Sequence, residues 1–222
     1  MDTSERILEL IELCRRAYDK GFVSGSGGNI SLKDGGDMLI TPTGRNLGVL
    51  AERDIVRMRL SRKRNVTGRD KGAAVIGSGV PSQEWRMHLR CYERADVVCV
   101  VHVHSPHASA VSCLDIDPDC GMPVYTPGYS VRVGRLPVVP YFRPGSAELA
   151  SAVGDLIAGG ATAPGRNSVL LANHGLLCVG AGIEQAMNIA EEIEENARLF
   201  LLLGDRGRPL SETQQAELAG KY

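Results

Sequence analysis

A chain of 222 residues with 43% hydrophobic content can bury one substantial core, so a single domain over residues 1–222 is expected. A formal net charge of -1 excludes bulk electrostatic attraction to nucleic acid or to an anionic membrane, and any anionic ligand has to be met locally. No run approaches a membrane span, the N-terminus lacks the pattern of a signal peptide, and six cysteines scattered singly point to reduced thiols in a cytoplasm.

From Thr3 to Lys20 the apolar residues Ile7, Leu10, Ile11, Cys14, Ala17 and Tyr18 recur at helical spacing, and Gly21 stands where a left-handed residue would end the helix. A Gly-rich loop follows, then Asn29 to Leu32, a turn at Asp34, Gly35 and Gly36, and Met38 to Thr41, which together predict a β-hairpin. Val56, Met58 and Leu60 alternate with Arg57 and Arg59 as in a strand with one wet face. The basic cluster Arg62, Lys63, Arg64, Arg69 and Lys71 continues that strand through a turn; without interleaved aromatics it reads as a solvated hairpin tip rather than a nucleic-acid patch.

Ser82 is expected to cap a helix through Trp85, Met87, Leu89 and Tyr92. The run Val97 to Val101 is apolar on both faces and predicts a central covered strand. Pro106 to Cys113 predicts a short helix, whereas Tyr125–Val133 and Pro137–Tyr141 read as short strands or ordered loops. Ser146 suits the N-cap of a helix stopped by Gly159 and Gly160, Val169 to Ala172 is another buried strand, and a long amphipathic helix runs from about Ile183 to Leu203. Helices sandwiching a mixed sheet are therefore expected.

Chemistry concentrates at the strand ends. His102 and His104 are two residues apart at the end of an apolar strand, so both imidazoles project from one face. His174 ends a second buried strand, and ligand sites of sheet proteins gather at such ends. A lone histidine more often packs than ligates, and His88, mid-helix, and His107, in the helix after His104, are read as structural or supporting. Three imidazoles leave an open coordination position, the pattern of a catalytic zinc site, with manganese, cobalt or iron as alternatives to Zn2+. Glu84, at a helix start, is either a first-turn carboxylate favoured by the helix dipole or a proton carrier beside the ion. The loops Gly25 to Asn29 and Thr41 to Gly44, with the helix start at Ser82, offer backbone N–H groups and short hydroxyls that can hold phosphate without the lysine of a P-loop.

Five motifs in order, Gly-Gly-Asn-Ile-Ser from Gly27, Ile-Thr-Pro-Thr-Gly from Ile40, Pro-Ser-Gln-Glu-Trp from Pro81, Val-His-Val-His-Ser from Val101 and Asn-His-Gly from Asn173, resemble the class II aldolase/adducin family across nearly the whole chain. The resemblance implies a three-layer α/β/α sandwich with a central mixed, mostly antiparallel sheet, and a homotetramer with active sites between subunits. It also implies His102, His104 and His174 as metal ligands, Glu84 as the acid/base, and Gly28, Asn29, Thr43, Gly44, Ser82 and Gln83 as the phosphate pocket. Thr126-Pro127, the stretch from Val133 to Gly145, and Leu-Gly-Asp from Leu203 resemble the 3-oxo-tetronate 4-phosphate decarboxylases within that family. Gln83 stands where those enzymes are expected to carry lysine, and Gly128, Tyr129 and Ser130 replace a more apolar stretch.

The implied activity is decarboxylation of a phosphorylated sugar acid through a metal-stabilised enediolate that Glu84 protonates. The alternatives are retro-aldol cleavage of a ketose 1-phosphate, with Tyr125, Tyr129 or Tyr222 as second proton carrier, a pentulose phosphate epimerase, or a non-catalytic adducin-like binding module.

Overall fold

The computed structural model describes residues 2–60, 73–160 and 163–219, so the basic cluster from Arg62 to Lys71 and the terminal Tyr222 lie outside the described residues. Helix α1 (Thr3–Asp19) buries Leu10, Leu13, Cys14 and Ala17, and Gly21, at φ 72°, follows its end as expected. Strands β1 (Asn29–Asp34) and β2 (Asp37–Ile40) form the anticipated hairpin, pairing Asp34 with Asp37 across the turn. In β3 (Val56–Leu60) Val56 and Met58 are buried while Arg57 reaches back to Asp37 at 2.5 Å; β4 (Ala73–Ile76) pairs along β3.

Helix α2 (Trp85–Cys91) leads to β5 (Cys99–Val103), which starts two residues later than the apolar run suggested. Its N-cap position is Glu84, not Ser82 as expected; the Ser82 hydroxyl instead accepts the Glu84 N–H at 3.3 Å, one step before the helix. Helices α3 (Pro106–Ser112) and α4 (Pro127–Arg132) follow. The second corrects the expectation of strand or loop over Tyr125–Val133. Pro127 occupies the first turn, where its missing N–H costs nothing, and Thr126 accepts the Tyr129 N–H at 3.1 Å as a cap.

Next come the short strand β6 (Val138–Val139), helix α5 (Ala147–Ala158) capped by Ser146, and a two-stranded ribbon of β7 (Gly159–Gly160) and β8 (Ala163–Pro164). Strands β9 (Ser168–Leu171) and β10 (Gly175–Gly180) form a hairpin. The chain then runs through the long α6 (Ile183–Leu203) to α7 (Glu212–Leu218). Strand β10 carries no alternation and is only six residues long, so nothing local in the sequence distinguished it from loop.

The main sheet has the order β4-β3-β2-β1-β5-β10-β9-β6, and every neighbouring pair is antiparallel except β6 with β9. Each central strand sends alternate side chains to two separate cores. Cys99, Val101 and Val103 of β5 and Leu176 and Cys178 of β10 join α1, α3, α4 and α6 on one side. Val100 of β5 and Leu177 and Val179 of β10 join α2 and α5 on the other. The protein is thus the expected three-layer α/β/α sandwich with a mixed, mostly antiparallel sheet. All six cysteines are free, and among the described residues no helix is long and apolar enough to cross a membrane.

Candidate metal centre and proton carrier

β10 runs antiparallel to both β5 and β9, so β5 and β9 point the same way and their C-terminal ends lie at one edge of the sheet. His104 follows β5 there, and His174 follows β9 in the turn before β10. Asn173 holds that turn in the left-handed region at φ 55°, and its N–H is anchored on the Ser112 carbonyl at 2.9 Å. Gly175 completes it: a Cβ there would sit 2.6 Å from the Val103 oxygen and 2.9 Å from the His104 ring. Only glycine lets the β9–β10 hairpin approach the end of β5 closely enough for the third imidazole to join the other two.

The three rings meet with centroids 4.8–5.1 Å apart, and their ligating nitrogens lie within 4.8 Å of one another. His102 Nδ1 donates to the Leu176 carbonyl at 2.9 Å, which leaves Nε2 bare in the neutral ring. That nitrogen is 3.2 Å from His104 Nε2, so two lone pairs face each other unless a proton or a cation lies between them. Two imidazole nitrogens each ~2.0–2.1 Å from a tetrahedral ion would stand about 3.3 Å apart, so the donor set fits a divalent ion. His102 is fully buried whereas His104 and His174 are partly exposed, which opens the cluster on one side.

Glu84 stands against this cluster. It is 4% exposed, with Oε2 3.2 Å from His102 Nε2 and Oε1 3.7 Å from His174 Nε2. Burial pushes its carboxyl up, but the charge and hydrogen bond of His102, the Asn29 amide and His174 carry it well below the usual carboxylate range. Burial also acts against a charge on His102, yet the facing Glu84 and the Leu176 carbonyl raise it above the ordinary imidazole value. His104 and His174 fall to about 3 and about 4, through burial and the positive charge of His102. The site therefore favours one positive charge against Glu84, and a divalent ion meets the same demand.

The loops expected to hold phosphate converge at this edge. The backbone bridge between Pro42 and Pro81, with Thr43 N–H on the Val80 carbonyl at 3.1 Å and Ser82 N–H on the Thr41 carbonyl at 3.0 Å, sets Thr43 and Gly44 beside Ser82 and Gln83. Thr43, Gly44 and Gln83 are exposed and Ser82 is buried. Gly28 lies against β5, at φ 73°, where a Cβ would be 2.9 Å from the His102 oxygen and 2.8 Å from Val23 Cγ1. Asn29 differs from the rest: its side chain is turned inward to Glu84 and His88 at 3.0 and 2.6 Å. Gly28→Ala is expected to destabilise the protein by about 2–5 kcal/mol, combining the left-handed backbone cost of ~1–2 kcal/mol with overpacking of ~1–3 kcal/mol. Urea denaturation checks this; an unchanged midpoint would mean that the loop can withdraw from β5.

The remaining candidates separate cleanly. His88 is fully buried and hydrogen-bonded, and His107 pairs through Nδ1 with Glu194 at 2.7 Å, so neither imidazole belongs to the three-histidine cluster. Tyr129 is buried in the core on the opposite side of the sheet, and the Tyr125 hydroxyl lies against Gly207. Sequence reasoning assigned no role to Ser31 or Tyr92, which contact His88 directly or through one hydroxyl; their signal is a polar pair inside otherwise apolar segments.

The buried imidazoles imply an acid-sensitive apo protein. His88 is held down to about 3 by burial and by the charge of His102. Its unfolded form takes up a proton near pH 6.5 that the folded form refuses, so stability is full above that value and falls as pH drops below it, by up to ~1.4 kcal/mol per pH unit. His104 and His174 act in the same direction, and His102, raised, offsets only one of the three as its unfolded form protonates near pH 6.5. Chelator-stripped protein is expected to lose melting temperature steadily from pH 6.5 to 5, and a flat profile over that interval would contradict the buried neutral state.

Comparison with known proteins matches residues 8–201 to the family described as Class II Aldolase and Adducin N-terminal domain. A 3-oxo-tetronate 4-phosphate decarboxylase from Haemophilus influenzae is 36% identical over 216 residues, covering 96% of this chain and 95% of that one. An L-fuculose phosphate aldolase from Methanococcus maripaludis is 35% identical over 200 residues, covering 90% and 98%. Among solved structures, YgbL from Klebsiella pneumoniae, for which aldolase, epimerase and decarboxylase are offered as alternatives, superposes with a TM-score of 0.86 at 35% identity over 98% of this chain and 99% of that one.

Proposed function

The chain belongs to the class II aldolase and adducin family, and on that premise we propose that it is a metal-dependent carbon–carbon lyase that decarboxylates a 3-oxo-tetronate 4-phosphate. The observation that carries this reading is the ionised Glu84 carboxylate lying 3.2 Å and 3.7 Å from two imidazoles of a three-histidine cluster with one open side. His102, His104 and His174 would hold the ion; Zn2+ suits three neutral imidazoles, with Mn2+, Co2+ or Fe2+ as alternatives. When bound, the ion supplies Lewis acidity at the substrate oxygens where negative charge develops.

The chain's own residues do the rest. In the phosphate pocket Gly28 and Gly44 contribute backbone N–H groups and Thr43, Gln83 and Ser82 side-chain donors, while Asn29 borders it through its backbone. As carbon dioxide leaves, the electron pair of the broken bond passes to the neighbouring carbon and its keto group. Glu84, having taken a proton from the substrate's hydroxyl, returns it to that carbon, and water restores the hydroxyl, so one proton is consumed overall. Loss of carbon dioxide needs no second proton carrier for a departing aldehyde, which accords with Tyr129 lying in the opposite core. Assembly as a homotetramer with active sites between subunits, in the cytoplasm, completes the reading.

Product analysis of metal-loaded protein tests it. Carbon dioxide released from 3-oxo-tetronate 4-phosphate supports decarboxylation. An aldehyde from a ketose 1-phosphate, with no carbon dioxide from the keto acid, would assign the chain to retro-aldol cleavage instead, the activity named for the Methanococcus maripaludis relative. Protein that neither binds a divalent ion nor turns over either substrate would leave a non-catalytic, adducin-like module.

A further inference from the structure

Between α2 and the sheet runs an unbroken row of buried polar side chains that ends on Glu84. The Tyr92 hydroxyl is 2.7 Å from Ser31 Oγ, which is 2.7 Å from His88 Nδ1. His88 Nε2 is 2.6 Å from Asn29 Oδ1, and Asn29 Nδ2 is 3.0 Å from Glu84 Oε2. Ser31 and His88 are fully buried, and Asn29 and Tyr92 are 6% exposed.

The charge at one end dictates every proton in the row. A carboxylate only accepts, so the Asn29 atom facing Glu84 must be the NH2 and the atom facing His88 must be the carbonyl oxygen. That oxygen only accepts, so His88 Nε2 carries the hydrogen. Nδ1 of a buried neutral imidazole is then bare, Ser31 donates to it, and Tyr92 donates to Ser31. All the bonds point toward Glu84, and each polarises the next in a site closed to water. On the Glu84 side the result is asymmetric: Oε2 is tied to Asn29 and faces His102 Nε2 at 3.2 Å, whereas Oε1 is buried without a hydrogen-bond partner, 3.7 Å from His174 Nε2.

We propose that His88 is a positioning residue: held as its Nε2–H tautomer by Ser31 and Tyr92, it locks the Asn29 amide so that Oε2 of Glu84 is engaged and Oε1 alone handles the proton. Without His88 the amide is free to flip, its oxygen then repels the carboxylate, and Glu84 loses its defined orientation. The inference rests on the reading of Glu84 as proton carrier, and the experiment keeps the two apart.

Metal-loaded wild type, His88→Phe, His88→Gln, Glu84→Gln and the His88→Phe/Glu84→Gln double variant are assayed by carbon dioxide release from 3-oxo-tetronate 4-phosphate, with metal content and circular dichroism as controls. The glutamine amide at position 88 can place an N–H where Nε2 donates. His88→Phe is expected to lower kcat by about 30-fold, within the 10–100-fold typical of residues that orient a reacting group, with KM changed less than about threefold. His88→Gln should recover most of the loss. In the Glu84→Gln background His88→Phe should cost little more, because residues acting through one another are not additive. A wild-type kcat in His88→Phe, or a full additional loss in the double variant, overturns the inference while leaving Glu84 in place. A fully active Glu84→Gln overturns the proposed function and this inference with it. Should His88→Phe fail to fold, 15N NMR of histidine-labelled wild-type holoprotein decides: a bare Nδ1 and protonated Nε2 at His88 support the row, and an Nδ1–H tautomer overturns it.

Discussion

His174→Ala is expected to reduce turnover by about a thousandfold and to leave less than one equivalent of tightly held divalent ion, which at 1.36 kcal/mol per decade corresponds to about 4 kcal/mol of lost transition-state stabilisation. His174 is the informative member of the cluster to remove. It sits in a turn, partly exposed, and its Nδ1 makes no hydrogen bond, so truncation removes the proposed ion ligand and little packing. His102 is fully buried and bonded to Leu176, and its loss would mix folding with catalysis. Metal content by plasma mass spectrometry, with steady-state rates before and after dialysis against a chelator, checks the expectation. Full metal occupancy and unaltered turnover in His174→Ala would break the link between the cluster and the reaction.

Glu84→Gln is expected to cost about 10²–10⁴ in kcat, the range for loss of a positioned proton carrier, with metal content unchanged. The substitution keeps the shape of the side chain and the contact near Asn29, but it removes the negative charge that raises His102. The apo form of the variant should therefore release its His102 proton at lower pH than wild type. The sign follows from linkage: a raised histidine stabilises the fold below its unfolded value and loses that contribution as pH rises through its folded value. Near neutral pH the apo variant, with this offset weakened, should thus lose more stability on acidification than apo wild type, read as the difference between their melting temperatures at pH 7 and pH 6. Turnover equal to wild type would remove Glu84 from the mechanism.

The legibility of this protein in its sequence follows the range of each signal. Helical periodicity in α1 and α6, the hairpin turn at Gly35 and Gly36, and the apolar run into β5 are local patterns, and each element formed close to where it was expected. The stretch from Tyr125 to Val133 misled because its β-forming residues were outweighed by a capping threonine and a first-turn proline, which select a helix. β10 left no local mark because a short strand buried on both faces is defined by its neighbours rather than by alternation.

The site divides in the same way. Side chains two apart on a strand share a face whatever the fold, so the pairing of His102 with His104 was contained in the sequence alone. Strand-end position singled out His174, a helix start Glu84 and exposed N–H groups the Gly-rich loops, and the ordered motifs then implied that all of them serve one site. Only tertiary structure decided how they meet. An antiparallel β10 between β5 and β9 brings His174 back to the same edge, and the register that sets Asn29 opposite His102 turns the Asn29 amide toward Glu84 and His88 instead of toward a phosphate. The physical reason is that side-chain alternation is a property of a few consecutive residues, whereas strand register and hydrogen-bond direction are set by groups more than fifty residues apart.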